Sequence, residues 1–198
     1  TSAGIDVTGT INGIGILAAT TEFSQSILIS TDGSTGTLNS ASNNTGLGFE
    51  VFDDLTTGDN NTAVGRRALT VLTTGANNVA IGHSALYSHY GLGNAFRGRN
   101  VAVGKDAMYN ATTADRSVAI GYRAGYNKKV NAGSVYIGEN AGYYEISGSA
   151  NTAVGQSAGI GFDGDNQYGT VVGASALTTS GGAKNYTTIV GAYAAQLF

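Results

Sequence analysis

A short apolar run closed by glycine returns along this chain at nearly constant spacing, and that return constrains the fold more than any other feature. The clearest copies are Asn60-Asn61-Thr62-Ala63-Val64-Gly65-Arg66-Arg67-Ala68-Leu69 and Asn77-Asn78-Val79-Ala80-Ile81-Gly82-His83-Ser84-Ala85-Leu86. The closing glycines are Gly48, Gly65, Gly82, Gly104, Gly121, Gly138, Gly155, Gly173 and Gly191, spaced by 17, 17, 22, 17, 17, 17, 18 and 18 residues. A fixed period of this length marks a repeat architecture, in which each unit buries its apolar face only against its neighbours.

Side chains alternate between the two faces of a strand, so Val79 and Ile81 share one face and Ala80 takes the other. β-branched residues suit a pleated strand, and the glycine after each run permits a bend. The large row is read as the repeat core: Val64, Val79, Ile81, Val101, Val103, Val118, Ile120, Val135, Ile137, Val154, Val172 and Val190. The small row, mostly alanine, is read as a flat outer surface that packs against another copy of the rod. The apolar pairs that follow, such as Ala68-Leu69, Ala85-Leu86 and Ala107-Met108, are read as a second short strand on the return side.

The expected fold is therefore all-β. It is a parallel β-solenoid or β-roll of about nine coils of 17–18 residues, on the order of 40 Å long at the usual strand spacing. A thin rod buries little apolar surface for its length, so self-association as a parallel homotrimer is expected. Gly makes up 31 of 198 residues and the apolar runs are too short for a helix face, which excludes a helical repeat.

Residues 1–42 do not fit the repeat and are read as a β-rich lead-in segment. It has strands at Gly4-Ile5-Asp6-Val7-Thr8-Gly9-Thr10-Ile11 and Ser26-Ile27-Leu28-Ile29-Ser30 and a tight turn at Asp32-Gly33. Residues 43–198 form the roll, with a degenerate first coil at 43–58 as its cap. The one 22-residue interval places its surplus within His89-Tyr90-Gly91-Leu92-Gly93-Asn94-Ala95-Phe96-Arg97. Insertions in a solenoid emerge as loops from one edge, often the binding edge. His89, Tyr90, Phe96 and Arg97 are therefore receptor-binding candidates, since such residues are over-used in binding sites. Tyr143 and Tyr144 join them from a later turn, where Tyr122, Tyr126, Arg123, Lys128 and Lys129 also lie.

Composition excludes several classes. Charged residues are 12 % and the formal net charge is −3, which gives no electrostatic case for nucleic acid. With no Cys there is neither a disulfide nor a Cys-ligated metal, and His83 and His89 are too few for a multi-histidine site. No apolar run of about 18 residues is present, so no membrane span is encoded. Asp53-Asp54 and the acidic loop Gly161-Phe162-Asp163-Gly164-Asp165-Asn166 read as turn chemistry. No nucleophile elbow and no phosphate loop are present. No cofactor, no metal and no enzymatic activity are expected. The opening on Thr1 reads as a fragment or a processed product.

Asn61-Thr62-Ala63-Val64-Gly65, Asn151-Thr152-Ala153-Val154-Gly155 and Ser117-Val118-Ala119-Ile120-Gly121 resemble the head repeats of trimeric autotransporter adhesins, at a longer period than is usual there. The longer form, with Asn-Asn-Thr-Ala-Val-Gly, Ala-Leu and a link such as Thr73-Thr74-Gly75, is similar to repeats in bacteriophage and prophage tail fibres. The stretch Gly4–Ile11 also resembles a segment found ahead of such repeats. The resemblance covers roughly residues 43–195 and implies a left-handed parallel β-roll with three chains side by side. It implies a structural and receptor-binding segment of a tail fibre on the virion, attaching to the host surface. The implied partners are itself, other virion tail proteins, and a host surface glycan or outer-membrane protein. The alternatives are the head of a bacterial cell-surface adhesin and a fibre-borne polysaccharide depolymerase. The resemblance transfers no site residue.

Overall fold

The structure, a computed structural model, describes residues 9–11, 14–18, 23–30, 37–90, 98–129, 133–162, 166–178 and 185–195. It opens with β1 (Gly9–Ile11), β2 (Ile14–Ala18), β3 (Phe23–Ser24), β4 (Ile27–Ser30) and β5 (Ala41–Ser42). Nine three-residue rungs follow: β6 (Thr45–Leu47), β7 (Thr62–Val64), β8 (Val79–Ile81), β9 (Val101–Val103), β10 (Val118–Ile120), β11 (Val135–Ile137), β12 (Thr152–Val154), β13 (Thr170–Val172) and β14 (Thr188–Val190).

These rungs pair in parallel with strict register, Ala63 on Ala80, Ala80 on Ala102 and Ala102 on Ala119. The chain is thus an all-β parallel solenoid of about eight turns between nine rungs, and no helix occurs among the described residues. Three strands of the lead-in segment continue the same sheet, while β3 pairs in parallel with β5 in a separate two-stranded sheet. β4 pairs in parallel with β6, β2 runs antiparallel to β4, and β1 closes a hairpin on β2. The Asp32-Gly33 turn, residues 4–8, Phe96, Arg97, Asp163 to Asp165 and the final three residues lie outside the described residues.

The expected inside and outside are exchanged. Ala63, Ala80, Ala102, Ala119, Tyr136, Ala153 and Val171 at the strand centres are fully buried. Val64, Val79, Val101, Val103, Val118, Val135 and Val154 are only partly covered. Ile81, Ile120, Ile137, Val172 and Val190 are exposed, Ile120 by 40 % and Ile137 by 38 %. These twelve residues therefore do not form the core of the coil.

The reason is the width of the coil. Six residues after each strand centre stands an inward corner residue, and large corners face small centres: Phe52 with Gly46, Leu69 with Ala63, Leu86 with Ala80, Met108 with Ala102. A Cβ added at Gly46 would lie 2.6 Å from Leu28 Cδ1 and 3.0 Å from Phe52 Cδ2. At those rungs a lumen filled from the far side leaves room for no more than a methyl at the strand centre, so the bulky residues turn out to the wide face.

The expected second strand is also replaced by turns. Arg67 and Leu69 adopt φ of 61° and 51°, a left-handed conformation that cannot extend. The Ala68 N–H donates to Gly65 O at 3.2 Å and the Leu72 N–H to Leu69 O at 3.3 Å. Coil-to-coil pairing still continues through the corner, with Arg67 N–H to Phe49 O at 2.8 Å and Leu69 N–H to Ala85 O at 3.1 Å. The column of closing glycines is required twice over: Gly65 has φ of 121°, and a Cβ there would meet the Gly82 carbonyl at 2.8 Å.

A polar ladder closes the interior beside the strands. The Asn61 side chain donates to Gly75 O at 2.9 Å and to Asn44 Oδ1 at 3.1 Å. Its Oδ1 accepts the Asn78 N–H at 2.9 Å and Asn78 Nδ2 at 3.0 Å. Asn100 repeats the pattern on Asn78, at 3.2 Å from its N–H and 3.0 Å from its Nδ2. Each buried amide satisfies its own groups and a neighbour's backbone, which is the condition for burying it at low cost.

Candidate functional site

Writing the coils in register shows an outward column beside the inward corners: Tyr87, Tyr109, Tyr126 and Tyr143, each one residue past Leu86, Met108, Gly125 and Gly142. The corner turns each tyrosine to the same side of the rod, so the rings stack. Centroid separations are 5.0, 5.3 and 5.1 Å with interplanar angles of 8°, 8° and 7°. Each stack contributes ~1 kcal/mol beyond its area. The top ring, Tyr143, then meets Tyr144 edge-on at 4.8 Å and 84°.

Beside the top of this column is a shallow depression of about 280 Å³ lined by Arg123, Asn140, Tyr143, Tyr144 and Ile160. Arg123 packs its guanidinium over Tyr122 at 4.9 Å and Tyr126 at 5.6 Å, with Asp106 at 3.7 Å. Tyr144 is 56 % exposed, so its face is open to a ligand. Burial and the neighbouring tyrosines push the Tyr126 hydroxyl above its ordinary value, so it stays a neutral hydroxyl. Aromatic faces, a guanidinium and a primary amide around one depression can stack on a ring and hydrogen-bond its hydroxyls.

The structure divides the receptor-binding candidates. Tyr143 and Tyr144 line the depression. Tyr90 is exposed on the surface, 42 % open. Phe96 and Arg97 lie outside the described residues. His89 is corrected: it is fully buried in the interior column of Leu55, Leu72, Ala111, Lys128, Glu145 and Phe162, where no receptor can reach it. Its Nδ1–H donates to Ala111 O at 3.2 Å, and burial lowers its pKa to about 4, so the ring is neutral. Lys128, expected beside the surface tyrosines, is buried in the same column. Sequence reasoning missed Asn140 and Ile160. The recurrence of Tyr at coil spacing was the signal that would have shown which tyrosines stack.

A second surface runs the length of the sheet. Its two rows are Thr62, Val79, Val101, Val118, Val135, Thr152 and Thr170, and Leu47, Val64, Ile81, Val103, Ile120, Ile137, Val154 and Val172. No lysine, arginine, aspartate or glutamate interrupts either row. Contiguous exposed apolar strips of this kind mark interaction surfaces. Among the described residues no group of three or more His, Cys, Asp or Glu side chains converges. No family model matches the chain, and neither a curated protein nor a solved structure matches it.

Proposed function

We propose that this chain is a structural and receptor-binding segment of a bacteriophage tail fibre, assembled as a parallel homotrimer and attaching the virion to its host without enzymatic action. The observation that carries the reading is the outward Val/Ile strip. It repeats at every coil and is self-complementary in spacing, so a second and a third copy of the same rod fit it rung by rung. Three rods that bury these strips against one another leave their tyrosine columns facing solvent.

The tyrosine column and the depression at Tyr143 and Tyr144 supply the contact surface, and a surface glycan of the host is the ligand class their chemistry suits. Three copies present each weak site three times, so avidity exceeds single-site affinity. The trimer rather than the loop insertion sets the geometry of display.

The test is binding of the labelled protein to an array of bacterial surface glycans, repeated with Tyr143→Ala and Tyr144→Ala. The reading expects a defined glycan class to bind and each variant to weaken it at least about tenfold, a loss typical of an aromatic hot spot. Binding unchanged in both variants would remove the depression from the account. Steady shortening of a bound polysaccharide would overturn the non-enzymatic assignment.

A further inference from the structure

The interior column changes character halfway up the rod. Leu55, Leu72, His89 and Ala111 give way to Lys128 and Glu145, before Phe162 restores an apolar filling. Lys128 and Glu145 are both fully buried, with Nζ 2.8 Å from Oε1. The same Oε1 accepts a hydrogen bond from Asn151 Nδ2 at 3.0 Å. Asn151 Oδ1 in turn accepts the Gly169 N–H at 2.7 Å. Ser134 Oγ lies 3.4 Å from Lys128 Nζ and 3.3 Å from the Asn151 backbone nitrogen. Ser117 and Ser134 stand where lower coils carry the asparagine ladder, and the Lys128 ammonium lies beside the shorter side chain of Ser134.

An amine, a carboxylate that touches both the amine and a primary amide, and a backbone N–H on that amide's oxygen thus meet in a core closed to water. A noncovalent plug needs the ion pair and partners for the other protons of the ammonium, which Ser134 Oγ and Gly148 O supply. The Gly169 donor continues the bond that the asparagine ladder makes at lower coils. What this rung adds is the amine and the Oε1 shared between it and the amide, and together the three supply what acyl transfer requires. We propose that Lys128 and Asn151 become joined by a self-catalysed isopeptide bond, with Glu145 carrying the protons.

The chemistry balances within the chain. Glu145 takes a proton from Lys128 Nζ, and burial already holds that ammonium below its ordinary pKa. The freed amine attacks Asn151 Cγ, and the developing oxyanion on Oδ1 is met by the Gly169 N–H. The Nζ–Cγ bond forms and the Cγ–Nδ2 bond breaks. Nζ gives up two protons in all, and both leave with the Nδ2 group as ammonium. Glu145 ends as it began, a carboxylate. Two desolvated charges in contact are replaced by a neutral amide and one carboxylate, and adjacent coils gain a covalent staple.

The experiment is the intact mass of the folded, purified chain, followed by tryptic mapping. The proposal expects a mass below that of the sequence by one ammonia, about 17 Da. It also expects residues 124–129 and 130–184 to remain joined after digestion, because Lys128 carries the bond. Glu145→Gln and Lys128→Met are each expected to restore the full mass and separate the two peptides. A folded native chain of full mass overturns the proposal, whatever the variants do. The same mass loss with separated peptides also overturns it, since that is a cyclic imide at Asn151 alone. Joined peptides that persist in Glu145→Gln would overturn the role given to Glu145.

Discussion

Tyr136 and Gly142 share one volume: the ring of Tyr136 fills the space where lower coils place a corner side chain, and Gly142 has given that side chain up. The neighbouring corner, Gly125, is vacated for the same ring, with an added Cβ 2.8 Å from Tyr136 Cδ2. The left-handed backbone is not the obstacle, because Leu86 and Met108 hold the same conformation at φ of 51° and 50°. Gly142→Ala is therefore expected to destabilise by about 2–3 kcal/mol through overpacking against Tyr136. In a Tyr136→Ala background, Gly142→Leu is expected to restore stability, recreating the Ala80 and Leu86 pairing. Chemical denaturation of the four proteins measures the coupling, and additive effects would count against shared volume.

The asparagine ladder makes a second prediction. Asn78→Ala removes the acceptor for the Asn100 N–H and the donor to Asn61 Oδ1 in a region closed to water. A loss of roughly 2–4 kcal/mol is expected, the cost of leaving buried groups unpaired plus a cavity. Thermal unfolding measures it. Asn78→Asp should be worse, because it adds a buried charge and loses the donor.

His89 makes the rod acid-sensitive. Burial depresses its folded pKa to about 4 from an ordinary 6.5. The unfolded state therefore binds the proton first as pH falls. The stabilising contribution is complete above about pH 6.5 and is lost progressively down to about pH 4, on the order of 3 kcal/mol in total. His89→Leu, which matches Leu72 one coil below, is expected to flatten the dependence of Tm on pH across that window. An unchanged slope in the variant would assign the acid sensitivity elsewhere.

The spacing of Gly48 to Gly191 was enough to read the parallel stack and its period, because a glycine column and a strand recur together only when coils lie in register. The facing of the strand was not legible in the same pattern. Val79, Ala80 and Ile81 alternate identically whether the alanine lies inside or outside. Only the column six residues on, with its Leu86 and Met108, shows which side is already full. His89 and Lys128 look like surface chemistry on their own. They become interior residues once aligned with Leu72 and Phe162 at coil spacing.

The Val/Ile strip is the central claim, and the solution mass of the particle tests it most directly. Sedimentation equilibrium of the native chain is predicted to return roughly the mass of three chains. Ile120→Lys with Ile137→Lys should return one, with the β-sheet circular dichroism retained. A native chain that sediments as a single folded protomer, its Val/Ile strip open to water, would contradict the account.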